Sequence, residues 1–130
     1  MNTATTISSM LARLAGLTAV ILGVVFWTGH GITLLPVHMV AGAVLVLALW
    51  TLAILGAVAG LPAGRVALAV VWGLVVPILG MTQTRLLPGS LHWLIQIVHL
   101  AIGMGAVGIA DGLAKRIRAR GTVAAEVVGG

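Results

Sequence analysis

Four apolar segments, roughly residues 10–28, 35–59, 65–86 and 91–113, follow one another with only short turn-rich stretches between them. Each has about the 20 apolar residues that a helix needs to cross the hydrocarbon of a bilayer. A backbone in lipid must satisfy its polar groups internally, so each segment is constrained to be a helix. The separators Gly29-His30-Gly31, Gly60-Leu61-Pro62-Ala63-Gly64 and Leu87-Pro88-Gly89-Ser90 consist of helix-ending residues. Links this short make sequential helices antiparallel neighbours. The sequence therefore predicts an all-α membrane protein, an antiparallel bundle of four transmembrane helices. It reads as one domain over 1–120, with 121–130 as a frayed tail. Pro36 fits a tolerated first-turn position, Ser90 a helix N-cap, and Pro77 a bend within the third helix.

Composition agrees. Of 130 residues, 61% are hydrophobic and 7% charged, and the mean hydropathy is +1.24, against roughly 25% charged residues in soluble domains. Cysteine is absent, which excludes disulfides and thiolate chemistry. The two acidic residues, Asp111 and Glu126, cannot form the carboxylate pairs that hydrolysis or proton pumping uses. Asp111 reads as a solvated i, i+4 partner of Lys115 and takes no role. The net charge of +5 is concentrated in Lys115, Arg116, Arg118 and Arg120 after the last apolar segment, where membrane anchors sit, so no nucleic-acid partner is expected. With Arg13 and Arg65 on that same side and only Arg85 opposite, both termini are expected to be cytoplasmic, in a bacterial inner membrane. The first segment lacks the small-x-small cleavage site of a signal peptide. Trp27 and Trp93 fall at the outer interface, and Trp50 and Trp72 deeper.

The candidate chemistry lies in four histidines, all in the outer half of the expected bundle. His92, Gln96, His99 and Gly103 form one helical stripe that continues through Ala106 and Ala110. His38 and Gly42 begin another, through Leu45 and Leu49 to Gly56. Val37-His38 to Gly42 and Val98-His99 to Gly103 share the pattern Val-His-x-x-x-Gly. Glycine one turn from an imidazole leaves room for a flat, bulky group, and two neutral imidazoles from facing helices can supply the axial pair of haem b. His38 and His99 are thus the candidate metal ligands. Arg85 is a candidate partner for haem propionates or a snorkelling residue. His30 and His92 read as interfacial, or as ligands of a second haem. Gly16, Val20, Gly23 and Trp27 form a small-residue stripe on the first helix. If helices two and four start level, His38 and His99 differ in depth by roughly 6–9 Å at 1.5 Å per residue, which would favour pairing His38 with His92 instead.

The run Pro77-Ile78-Leu79-Gly80-Met81-Thr82-Gln83, then Leu87-Pro88 and Ile97-Val98-His99-Leu100, resembles one four-helix half of the haem A synthase family. The resemblance covers about half the chain. It implies a bundle with histidine ligands on its second and fourth helices, at His38 and His99. It departs from that family where Leu35 stands three before the first ligand in place of an acidic residue, in having no second bundle, and in lacking the extracytoplasmic cysteines. Small bis-histidine cytochromes of the b561 type share the architecture alone.

The expected function is a small haem-b membrane protein that moves electrons or handles haem near the outer face, with quinol or a periplasmic carrier as partner. No catalytic residue is identified. A different class stays open: a non-redox structural subunit whose glycine faces pack in a homo-oligomer or larger membrane complex. A metal transporter using Met39, Met81 and Met104 is the third reading, weakened because those methionines share no stripe with the histidines.

Overall fold

The computed structural model describes residues 2–129. Four helices, α1 (Asn2–Trp27), α2 (Leu35–Val58), α3 (Ala63–Thr82) and α4 (His92–Gly129), make up the fold, with short 3-10 turns at Ile32–Leu34 and Gln83–Arg85. There is no strand among the described residues. All four helices are long and apolar enough to cross a membrane.

Helices α2 and α4 touch each other through the middle of the bundle, and α1 and α3 each pack against both. The core follows the stripes legible in the sequence. Leu45, Leu49 and Leu52 of α2 are essentially fully buried against Ala106, Ala110, Leu113, Ala114 and Ile117 of α4. The outward faces carry Leu14, Leu47, Ile54, Val71, Ile78 and Met104, all exposed. A surface so apolar suits hydrocarbon and not water.

Helix α1 starts eight residues earlier than the apolar run at residue 10. The added turns are polar but small, and Thr5, Ser8 and Ser9 continue the buried face of Ala12, Ala15 and Gly16. Small side chains let two backbones approach closely. A Cβ added at Gly16 would collide with Val107 of α4. At the other end of the chain, α4 runs on through 121–129, where the sequence predicts a frayed tail. Most of this extension is exposed, so packing against the bundle does not hold it.

The first two helices end in the same way. Past α2, Gly60 adopts φ +72°, its N–H donates to Ala57 O, and the Leu61 N–H donates to Gly56 O at 2.9 Å. This is the Schellman arrangement, which uses a left-handed residue to satisfy the last carbonyls. Arg120 of α4 adds a bond to Ala59 O at 3.4 Å, placing a cation at the negative end of α2. Pro36 lies in the first turn of α2 as expected. Helix α3 passes through Pro77 without breaking. Helix α4 begins at His92, so Ser90 lies in the turn two residues before it.

Two indoles brace the bundle at depth. Trp50 donates to Val70 O at 3.2 Å and lies on Gly73, joining α2 to α3. Trp72 donates to Ile102 O at 2.9 Å and lies on Gly105, joining α3 to α4. A buried indole needs an acceptor for its N–H, and the glycine beneath each ring gives it access to the neighbouring backbone.

Candidate functional site: a cavity walled by two histidines

The two ends of the bundle differ in chemistry. Arg13, Arg65 and the α4 cluster Lys115, Arg116, Arg118 and Arg120 mark one end. There Asp111 accepts from Arg13 Nε at 2.8 Å and from Ser9 Oγ at 3.5 Å. This corrects the expected Asp111–Lys115 pair: the α1–α4 seam is tight enough that a partner on the neighbouring helix displaces the one a turn away.

At the opposite end a cavity of about 320 Å³ opens between α1, α2 and α4, closed at the side by the turn after α3. That volume lies at the low end of the roughly 300–1,000 Å³ usual for small-molecule sites. His38 of α2 and His99 of α4 both stand in its wall, their ring centres 6.2 Å apart and their planes at 51°. The depth offset expected from level helix starts does not keep the two rings apart. The start of α2 is set by a 3-10 turn and that of α4 by the Leu86–Leu91 link, and such starts need not be level.

Neither imidazole has a hydrogen-bond partner among the described residues, and both Nδ1 atoms are buried. A buried polar atom without a partner costs about 1–3 kcal/mol, and this wall carries two. Phe26 of α1 meets His38 edge-on at 5.5 Å between centres. Glycines of neighbouring helices lie against both rings, Gly23 with room for a Cβ in ordinary contact and Gly80 more tightly. A Cβ at Gly23 of α1 would lie 3.7 Å from His38 Cε1, and one at Gly80 of α3 would lie 3.1 Å from His99 Cε1.

The other expected residues divide. His92 and Gln96 line the cavity with Gln83 and Thr84, giving it a polar rim, and His92 Nδ1 also lies 3.3 Å from Leu86 O. Gly103 lines it too, with open space where a side chain would stand. Gly42 is not part of the wall, so the shared Val-His-x-x-x-Gly spacing places only one of its two glycines at the cavity. Arg85 is exposed at the end of the 3-10 turn and does not line the cavity. His30 turns back on its own loop, 2.9 Å from Thr28 O. Met39, Met81 and Met104 face outward, away from the histidines. Among the described residues no three metal-binding side chains converge, so the histidine pair stands alone.

The sequence reading missed Phe26 and Gly80. Both had a signal: Phe26 lies three residues after Gly23, and Gly80 three before Gln83, each pair on one helical face.

Fold and site together define a class: a helical bundle with four segments able to cross a membrane and a cavity walled by two unpartnered histidines. No known family matches the chain, and no curated protein or solved structure matches it either.

Proposed function

We propose that this is a small haem-b protein of a bacterial inner membrane, an antiparallel bundle with both termini cytoplasmic, in which His38 and His99 would hold the haem iron. The apposition of those two rings carries the reading. Imidazole nitrogens bind first-row metals at about 2 Å, so two rings that held one metal between them would have centres about 6 Å apart, and the rings are 6.2 Å apart. Neither ring has a hydrogen-bond partner that would compete with a metal. The alternating helix direction is supported by the α1–α4 contacts, where Arg13 meets Asp111 and Gly16 meets Val107. The cytoplasmic termini are supported by the basic end, by the positive-inside rule. From the haem A synthase resemblance the proposal takes only the two ligand positions.

A haem held there would supply a one-electron couple. The chain's own residues would set its surroundings. Val20, Gly23, Phe26 and Leu100 keep water from the histidines and lower the local dielectric. His92, Gln96, Gln83 and Thr84 offer hydrogen bonds at the rim for carboxylates. The rim opens toward the outer face on this orientation, where quinol or a periplasmic carrier would exchange electrons.

The test is the absorption spectrum of detergent-purified protein from haem-replete cells, oxidised and then reduced with dithionite. A Soret band with sharp reduced α and β bands, lost in His38→Ala and in His99→Ala, is expected. Colourless wild type overturns the proposal. It would favour the second reading, a packing subunit, for which the open faces at Gly42 and Gly108 are the supporting observation.

A further inference from the structure

The basic end holds a second recess, of about 200 Å³, between α3 and α4, lined by Arg65, Leu68, Ile109, Gly112, Leu113 and Arg116. We propose that it binds the headgroup and upper acyl chain of an anionic phospholipid from the leaflet on that side. The inference rests on the chain spanning a membrane, and not on the haem.

Of the arginines at this end, Arg65 and Arg116 are the two that line the recess, and their guanidiniums are unengaged. Arg13 is held by Asp111 and Arg120 by Ala59 O. The guanidiniums of Arg65 and Arg116 have no hydrogen bond or ion pair among the described residues, and no acidic side chain lines the recess. Two unpaired guanidiniums over one hollow are matched to a phosphodiester, which accepts their paired N–H groups. Arg65 lies in the first turn of α3, whose start has no side-chain cap, so the helix dipole adds positive potential at the same place. On α4, Ile109, Gly112, Leu113 and Arg116 form one stripe, and nothing lies within 4 Å of a Cβ built on Gly112. The missing side chain opens the hollow below the arginines. Leu68 and Ile109 form apolar wall there and continue into the outward apolar surface, which is where an acyl chain would lie. A zwitterionic lipid carries no net charge to offset the arginines, so the site distinguishes lipids by charge. Basic pockets between transmembrane helices bind anionic headgroups by these means.

The experiment uses the full chain in nanodiscs of phosphatidylcholine doped with phosphatidylglycerol, with retained lipid counted by native mass spectrometry. Carbonate extraction first establishes that the protein is integral; release into the soluble fraction overturns the membrane reading and the site together. With the protein integral, wild type is expected to retain phosphatidylglycerol over phosphatidylcholine. Retention should fall about fivefold for each arginine in Arg65→Gln and Arg116→Gln. Ile109→Trp, which fills the hollow without altering charge, should also lose it. The double variant Lys115→Gln/Arg118→Gln removes as much charge outside the recess and should retain lipid like wild type. Equal loss in that control would mean diffuse surface attraction and overturn the site. Equal protection by soluble glycerol phosphate would mean an ion site and overturn the lipid assignment.

Discussion

The same four helices bury polar side chains at both ends of the bundle, yet treat them in opposite ways. At the basic end Ser9 and Arg13 converge on Asp111, and Arg120 closes the last turn of α2. At the histidine end the seam that is tight at Gly16 and Val107 opens into a cavity, and two Nδ1 atoms are buried without a partner. Buried polar groups are nearly always satisfied. Where Ser9 and Arg13 meet Asp111, the seam satisfies its own polar groups, and the contact there is structural. The other end leaves two identical ligating groups unsatisfied beside a hollow, and the haem proposal rests on that contrast.

Substitutions at the two ends should therefore separate stability from binding, and thermal unfolding in detergent, followed by circular dichroism, ranks them. Leu49→Ala, in the packed middle, should cost most, about 2–5 kcal/mol, because the cavity it leaves adds to the lost burial. Trp72→Phe removes the donor to Ile102 O and should cost about 0.5–1.5 kcal/mol. Asp111→Asn should cost less than about 1 kcal/mol, since Arg13 is 54% exposed and solvent screens the pair. His38→Leu should be nearly neutral or stabilising in the haem-free protein, because an apolar group replaces an unpartnered polar one. A His38→Leu cost as large as that of Leu49→Ala would break the comparison, since the ring would then be a packing element. A large cost at Asp111 would sharpen it, by making the basic end an obligatory clasp.

Much of this was legible in the sequence because helical periodicity survives in apolar segments. The stripes through Leu45 and Leu49 and through Ala106 and Ala110 became the buried faces. The first turns of α1 were missed because hydropathy registers apolar residues and not small ones, and Thr5, Ser8 and Ser9 are buried for their size. Asp111 was misassigned because local spacing offers Lys115 and cannot see Arg13, 98 residues away. The glycines that touch the rings were hidden for the same reason. Gly42 and Gly103 follow their histidines along the chain, but the glycines that meet the rings, Gly23 and Gly80, reach them only through tertiary packing. His38 and His99 themselves stood out because ionisable residues inside apolar spans are rare.

Near-infrared magnetic circular dichroism of the oxidised protein would decide whether His38 and His99 share one iron, because that spectrum reports the ligands of a haem. The account predicts the bis-imidazole charge-transfer band in wild type and its replacement by single-histidine or ligand-free signatures in His38→Ala and His99→Ala, with the helical content unchanged. A haem whose ligation is untouched by either substitution would contradict it.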